Sequence, residues 1–204
     1  DLKNLFIKFI NKVPSFGKSF ICIDDKNNVD LLKKLKIKNY YTYGTNPKSQ
    51  FYIRNIKQLK KFSEYDLSIN LPGKKNISIN KIKIPLLGIH NIRNATAAAA
   101  VASTIGISKA IIKKGLKEFK GVQRRFIKVF NYRETSFYDD YAHHPTEIKE
   151  LLNGVRAAYK KDEIICVFQP HRISRLKDLK KEFTLSFKKA DVVILCPVYA
   201  AGEK

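Results

Sequence analysis

The 204 residues predict an α/β protein built as two consecutive units, and three patterns carry that prediction. Apolar, β-branched runs of strand length, such as "SFICI", "IICVF" and "VVIL", alternate with segments whose apolar residues recur at helical spacing. Residues 50–86 instead repeat short alternating runs, the mark of antiparallel strands and hairpins. After Gly121 the order becomes strand, helix, strand, helix, strand, which indicates a mainly parallel sheet with helices on both faces. The expected division is 1–121, a mixed sheet with helices, and 122–204, a mainly parallel α/β unit, with the junction between Gly121 and Arg125.

Taken in order, Leu2, Leu5, Phe6, Phe9, Ile10 and Val13 share a helical face, so the chain opens on an amphipathic helix that stops near Pro14. "KSFICIDD" reads as a buried strand ending in acids, "NNVDLLKKLK" as a short helix and "NYYTYG" as a second strand. "QFYIRNI", "YDLSINL" and "ISINKIKIPL" are the alternating strands, with "PGKK" a turn before the last. "HNIRNATAAAAVASTIG" is a helix whose alanines allow close packing on a sheet, ended by Gly106. Ser108 caps the next helix, "KAIIKKGLKEF", which ends by Gly121. Beyond the junction, "FIKVFNY" and "TSFYDDY" are strands. "PTEIKELLNGVRAAY" is a helix with Pro145 at its first position, where a missing N–H costs nothing. "EIICVFQP" is a strand, "SRLKDLKKEFTLSFKK" one amphipathic helix, and "DVVILCPV" a further strand.

Hydrophobic residues make up 44% of the chain, enough for a core rather than a disordered segment. No apolar run approaches the ~20 residues of a membrane span, and the start does not resemble a signal peptide. The absence of methionine and the start at Asp1 suggest a piece of a longer polypeptide, and the setting expected is the cytoplasm. The net charge of +22 raises the possibility of a nucleic-acid-binding module. Yet basic runs never exceed two residues, and no arginines interleave with aromatics, so solvated lysine faces are the preferred reading and no nucleic-acid partner is expected. Cys22, Cys166 and Cys196 are too far apart for a zinc spacing and odd in number, so buried reduced thiols are expected.

Five stretches carry candidate chemistry beside one decoy. "FGKS" at 16–19 ends like a phosphate-binding P-loop, but Lys12 stands where the first glycine belongs and a helix precedes it. In "GIHNIRNATAAAA", Asn91 and Asn94 fall on one helical face in the first turn, where their amides suit a purine edge; a plain capping role for Asn91 or His90 remains open. In "GVQRRF", Arg124 and Arg125 are either a solvated pair or a phosphate fork. "DDYAHHPTE" at 139–147 sets Asp139, Asp140, His143 and His144 at the end of a strand and the start of a helix, the place where ligands bind in open α/β sheets. A helix-entry cap is the bland alternative there. As His143 and His144 are adjacent and no second histidine pair or C-x-x-C supports them, no metal site is assigned. "FQPHRISR" sets His171, Arg172 and Arg175 at an equivalent place, so both turns are expected on one rim, a site for an anionic substrate.

Together with "PVYAAGE", these motifs resemble, in order and spacing over essentially the whole chain, those of the Mur ligases. The resemblance implies the end of that family's ATP-binding central domain followed by most of its Rossmann-like C-terminal domain, cut at both ends. Within the family the fit is best to members that join L-alanine to UDP-N-acetylmuramate in peptidoglycan precursor synthesis. It implies ATP and Mg²⁺ as cofactors and an acyl-phosphate intermediate, which a free carboxylate needs because it is a poor electrophile. By the same resemblance Asn91 and Asn94 contact adenine, Arg125 the phosphates and Asp140 the ribose. Tyr141, His143, His171, Arg172 and Arg175 face the substrate, with His143, Arg172 and Arg175 catalytic and the arginines gripping the alanine carboxylate. The P-loop and metal ligands are expected upstream, leaving the 204 residues inactive alone. Ile173 and Leu176 stand where an aromatic and a threonine are usual, and Ala142 where glycine is frequent. The alternatives are the murein-peptide recycling ligase of the same family, disfavoured by "QPHR", a nucleotide-binding regulator without catalysis, and the basic nucleic-acid-binding module.

Overall fold

The structure, a computed structural model, describes residues 2–36 and 39–203; the outer limits of the two expected units, Asp1 and Lys204, lie outside these. It divides into two compact units. One comprises Asp1–Lys57, Glu64–Ile84 and Asn91–Phe119, and the other Gln58–Ser63, Pro85–His90 and Lys120–Lys204. The second unit thus takes in two short stretches from the earlier half of the chain.

The first unit is built on a five-stranded sheet whose spatial order follows the sequence. After helix α1 (Leu2–Asn11) come β1 (Ser19–Cys22), α2 (Lys26–Leu32) and β2 (Tyr40–Gly44). β1 and β2 run parallel, and α2, capped by the Asp25 carboxylate accepting from the Asn27 N–H, is their crossover. β3 (Phe51–Leu59) overlaps β2 by only two paired residues, also parallel. Thr42 and Gln50 prolong that ladder with side chains: the Thr42 N–H donates to Gln50 Oε1 at 2.9 Å and the Gln50 N–H to Thr42 Oγ1 at 3.1 Å. The two residues between β3 and β4 (Phe62–Ile69) force that pair to be antiparallel, and β5 (Ile77–Ile84) completes the sheet. The "PGKK" turn has Gly73 at φ 69° with Lys74 N–H donating to Leu71 O at 3.1 Å, the backbone a proline–glycine turn requires. Alternation buries Tyr65, Leu67 and Ile69 of β4 with Ile82 and Ile84 of β5, and an irregularity at Lys81 (φ 55°) places Ile79, three positions before Ile82, in the core as well.

Helix α3 (Ile89–Thr104) runs through the alanine-rich stretch, burying Ile92, Ala95, Thr96, Ala99 and Ala100. It begins at Ile89, so His90 and Asn91 stand within its first turn and neither is its cap. It ends as the glycine predicts: Gly106 has φ 87°, its N–H donates to Ser103 O, and the Ile107 N–H donates to Ala102 O. Ser108 caps α4 (Lys109–Glu118). Between β5 and α4 lies a groove of about 530 Å³ lined by Lys81, Lys83, Lys113, Lys114 and Lys117 with Glu118, so lysines scattered in sequence are gathered in space.

In the second unit, β6 (Ile127–Tyr132) and β7 (Thr135–Asp139) form an antiparallel hairpin closed by Arg133 and Glu134, with Arg133 at φ 51°. After α5 (Pro145–Ala158), β8 (Ile165–Phe168) pairs in parallel with β9 (Val192–Leu195). The expected single, mainly parallel sheet is therefore corrected: among the described residues the strands form two two-stranded sheets, because a two-residue turn leaves β6 and β7 no choice but antiparallel pairing. The expected single helix after Arg172 is likewise two, α6 (Ile173–Asp178) and α7 (Lys180–Ser186), broken at Leu179 (φ −117°, ψ 27°). Leu176, Leu179 and Phe183, on either side of the break, pack on one core with Ile148, Leu152, Val155, Ile164 and Phe168. Fully burying an aliphatic or Phe side chain such as Ile148, Leu152 or Phe183 stabilises by roughly 1.5–3 kcal/mol, and the half-buried Leu176 and Leu179 contribute less. Helix α5 approaches the Leu87–Gly88 backbone so closely that a Cβ on Gly154 would lie 2.6 Å from Gly88 Cα. The three cysteines are free but only half-buried, against the expectation of full burial. Burial still pushes the Cys22 and Cys166 thiols up from their ordinary range.

Candidate active site

Two turns of the second unit, following the C-terminal ends of β7 and β8, come together. At the first, the Asp140 carboxylate is half-buried and accepts from the Ala142 N–H at 2.7 Å, while the Tyr141 N–H donates to Arg124 O at 2.8 Å. Burial pushes the Asp140 carboxyl above its ordinary range, opposed by the amides of Ala142 and Phe126 and the charge of Arg125. His144 is the N-cap of α5 in a reciprocal capping box with Glu147. Glu147 Oε2 accepts from the N–H groups of His143 (3.1 Å) and His144 (3.2 Å). Burial raises the Glu147 pKa, but those two amides and the nearby His143 and Arg125 hold it below the ordinary carboxylate range. The stretch is thus both things the sequence offered: His144 and Glu147 build the helix entry, and His143, one residue earlier, stands clear of the cap. His143 Nδ1 lies 2.9 Å from Tyr141 O. A carbonyl only accepts, so Nδ1 is the donor in this contact, and the ring's neutral form then carries its lone pair on Nε2.

The second turn brings His171, and the two imidazole centroids lie 6.3 Å apart. Tyr141 stands at 4.9 Å from His143, and Tyr199 at 5.2 Å from His171, giving a run of four rings from three separate segments. Tyr199 is a residue the sequence offered only as part of a motif. Its backbone forms a parallel bridge with His171, beyond the end of β9, a pairing across 28 positions that leaves no local pattern. Arg172 follows with φ 71° and ψ 128°, a backbone region that L-residues other than glycine rarely occupy. Arg175 lies within α6 and its guanidinium donates to His171 O at 3.4 Å. Arg124, passed over in favour of Arg125, sits with its guanidinium 4.6 Å from the Tyr141 ring centre and 3.7 Å from Asp139. Arg125 lies 3.9 Å from Glu147. Leu176 belongs to the core rather than the rim, which accounts for an apolar residue there, and Ile173 is half-buried.

Because α3 begins at Ile89, Asn91 lies in its first turn and Asn94, exposed, in its second, rather than both in the first turn. The "FGKS" decoy is a loop pinned by the Asn39 side chain, whose Nδ2 donates to the carbonyls of Pro14 (2.9 Å), Ser15 and Gly17, while Lys18 donates to Asn39 Oδ1. Among the described residues no group of three or more His, Cys, Asp or Glu side chains is arranged to hold a metal ion. No helix is long and apolar enough to cross a membrane among those residues.

The model of the Mur ligase middle domain matches residues 1–102, and that of the Mur ligase glutamate ligase domain matches residues 124–204. The chain belongs to the Mur ligase family. Its sequence is 82% identical over 204 residues to the UDP-N-acetylmuramate–L-alanine ligase of Pelagibacter ubique, covering 100% of this chain and 44% of that protein. It is 45% identical over 207 residues to the protein of the same name from Brachyspira hyodysenteriae, covering 99% of this chain and 43% of that one. Among solved structures, the UDP-N-acetylmuramate–alanine ligase of Thermotoga maritima superposes with a TM-score of 0.70 at 28% identity, over 90% of this chain and 38% of that one. This Mur ligase chain therefore spans less than half the length of the curated relatives it matches.

Proposed function

We propose that this chain forms part of an ATP-dependent ligase that joins L-alanine to UDP-N-acetylmuramate, an early amino-acid addition in peptidoglycan synthesis. The observation that carries the reading is the juxtaposition of the His143 and His171 turns at strand ends, with Arg172 and Arg175 beside them. The names borne by the similar proteins of Pelagibacter ubique and Brachyspira hyodysenteriae support the same substrate pair.

In this reading Arg172 and Arg175 hold the carboxylate of alanine, a planar anion that guanidinium forks match. Fixing that end leaves the amine free to approach an activated muramyl carboxyl. In its neutral form with Nδ1 donating to Tyr141 O, His143 presents an Nε2 lone pair that can accept the proton the attacking amine sheds. Tyr141 and His171 flank it and hold the polar substrate. Asp140 accepts from ribose hydroxyls, Arg125 meets the nucleotide phosphates, and Asn91 and Asn94 read adenine. When bound, ATP would supply the phosphoryl group that makes the carboxylate an acyl phosphate, with ADP leaving and Mg²⁺ offsetting the phosphate charge, and attack by the amine would then expel inorganic phosphate. A nucleotide sugar and ATP imply the cytoplasm as the compartment.

The test is a chimera in which these 204 residues replace the matching segment of the Pelagibacter ubique relative. It should release phosphate from ATP only when UDP-N-acetylmuramate and L-alanine are both present, and should form the alanyl product. A folded chimera that ignores L-alanine and accepts a murein tripeptide instead would move the chain to the recycling branch of the family.

A further inference from the structure

We infer that Glu203 is a positioning residue for Arg172 and Arg175, acting through Ser174 from the far end of the second unit. The inference rests on the reading of those arginines as the grip on the alanine carboxylate, and it starts from a difficulty in their backbone.

Arg172 sits at φ 71° and ψ 128°. Such a conformation costs on the order of 1–3 kcal/mol for a residue with a Cβ, and it persists only where the surroundings fix it. Arg172 also opens α6, yet its side chain makes no capping hydrogen bond, and α6 is only six residues long. The first N–H groups of a helix have no partner within it. A short, uncapped helix beginning on a strained residue is a poor platform for two side chains that must point at one carboxylate.

The platform is completed by residues 199–203. The Tyr199 N–H donates to Pro170 O at 2.9 Å and the Arg172 N–H donates to Tyr199 O at 2.9 Å, so the strained residue is clamped on its N-terminal side. Glu203 clamps the other side. Its Oε2 accepts from the Ser174 N–H at 2.9 Å and its Oε1 from the Ser174 hydroxyl at 2.7 Å. Across 29 positions this carboxylate does for α6 what an N-cap side chain does locally. Glu203 is aimed by its own turn, where its N–H donates to Ala200 O at 3.1 Å, Ala201 has φ 53° and Gly202 has φ 85°. Both carboxylate oxygens accept from Ser174, and the Ile173 amide and the Arg172 charge also act on the acid, so it orders the helix start directly beside the arginine that is to meet an incoming anion. His171, Arg172, Ser174 and Arg175 are thereby fixed as one piece.

The experiment compares Glu203→Ala, Glu203→Gln and Ser174→Ala with the control Glu182→Gln, an exposed carboxylate on α7. Each is placed in the chimera for kinetics and in the 204-residue chain for amide hydrogen exchange. Glu203→Ala should raise the alanine KM by about tenfold while the ATP KM stays within about twofold, the signature of lost positioning at one substrate. Glu203→Gln should recover part of that loss, because its amide oxygen still accepts from the Ser174 N–H. Ser174→Ala should fall between Gln and wild type, and Glu182→Gln should match wild type. In the chain itself the Ser174 amide should exchange at least about tenfold faster in Glu203→Ala. An unchanged alanine KM, an equal rise in both KM values, or an unchanged Ser174 exchange rate in Glu203→Ala would each overturn the inference. If the unsubstituted chimera shows no alanine-dependent turnover, the functional reading fails separately. Faster Ser174 exchange then still establishes Glu203 as what orders the arginine turn, and unaltered exchange disproves it.

Discussion

The two units of this chain each build a cluster around a carboxylate, and they use it in opposite ways. In the first unit Asp24, at the end of β1, accepts from the Thr45 N–H with both oxygens (2.8 and 3.0 Å), from the Asn46 N–H (3.1 Å) and from Arg93 Nε (2.7 Å). Gly44 is required beside it, since a Cβ there would meet Asp24 Oδ1 at 2.4 Å and the backbone holds φ 147°. Burial raises the Asp24 pKa, but these amides and the Arg93 guanidinium hold it below the ordinary range. The four contacts on this one carboxylate hold together β1, the β2–β3 loop and α3. In the second unit, Glu147 and Glu203 accept chiefly from backbone amides and the Ser174 hydroxyl, and the exposed Arg125 and Arg172 beside them keep only looser charge contacts with those acids. A closed polar cluster stabilises, whereas an open one on a stiff support is available to a ligand. Charge alone does not separate the two cases; how completely the charge is satisfied does.

The largest effect expected from breaking this contrast is in the closed cluster. Asp24→Ala strips two backbone N–H groups, those of Thr45 and Asn46, and a partly buried guanidinium of their acceptor, and should destabilise the chain by roughly 3–5 kcal/mol in urea unfolding. Its sign with pH also follows. A carboxyl whose folded pKa is depressed gives its full stability above its unfolded pKa of 3.8 and loses it as pH falls below that value. Wild type should therefore lose its advantage over Asp24→Ala in acid.

In the open cluster the same class of change should act on function and spare stability. Arg172→Ala in the chimera should raise the alanine KM by at least about tenfold, or about 1.4 kcal/mol, with melting temperature unchanged. A change in melting temperature comparable to that of Asp24→Ala, with alanine KM unaltered, would erase the distinction drawn here.

A subtler comparison uses Tyr65, fully buried in the first unit, whose pKa burial pushes up to about 12. Because the folded pKa is raised above the ordinary value of 10, the stabilisation is complete below pH 10 and is lost as pH climbs toward 12. Urea midpoints of wild type and Tyr65→Phe should diverge over that window, with the wild type falling faster. Identical slopes would show that the hydroxyl does not stay protonated in the fold.

The smallest effect expected concerns the lysine groove between β5 and α4. Labelled DNA or RNA titrated at two salt concentrations should show weak association that Lys113→Gln, Lys114→Gln and Lys117→Gln together reduce no more than three neutralised lysines elsewhere. Tight binding at physiological salt with a steep salt slope, lost only in the groove variant, would favour the nucleic-acid-binding class instead.

Much of this was legible before any coordinates. Apolar periodicity located the helices, the glycines and Ser108 marked their ends, and the Pro-Gly turn announced itself. The motifs "DDYAHHPTE" and "FQPHRISR" showed strand-to-helix junctions rich in imidazole and guanidinium, and their order carried the family resemblance. Local patterns could not show the break at Leu179, since Leu176, Leu179 and Phe183 keep apolar spacing straight through it and only the shape of the shared core decides the kink. Nor could they separate His144, which caps, from His143, which does not: the two are adjacent and chemically identical, and differ only in where the helix begins.

What the residues fixed on their own was therefore chemistry and local geometry: which segments turn, which alternate, and which side chains have the acid, base or fork to act. Pairing across distance belonged to the tertiary structure alone. It brought Tyr199 to His171, Glu203 to Ser174, and Asp24 to Arg93. The physical reason is that a hydrogen bond between residues 28, 29 or 69 positions apart costs loop-closure entropy that no local propensity repays. Such contacts form only once the packed core has already brought the segments together.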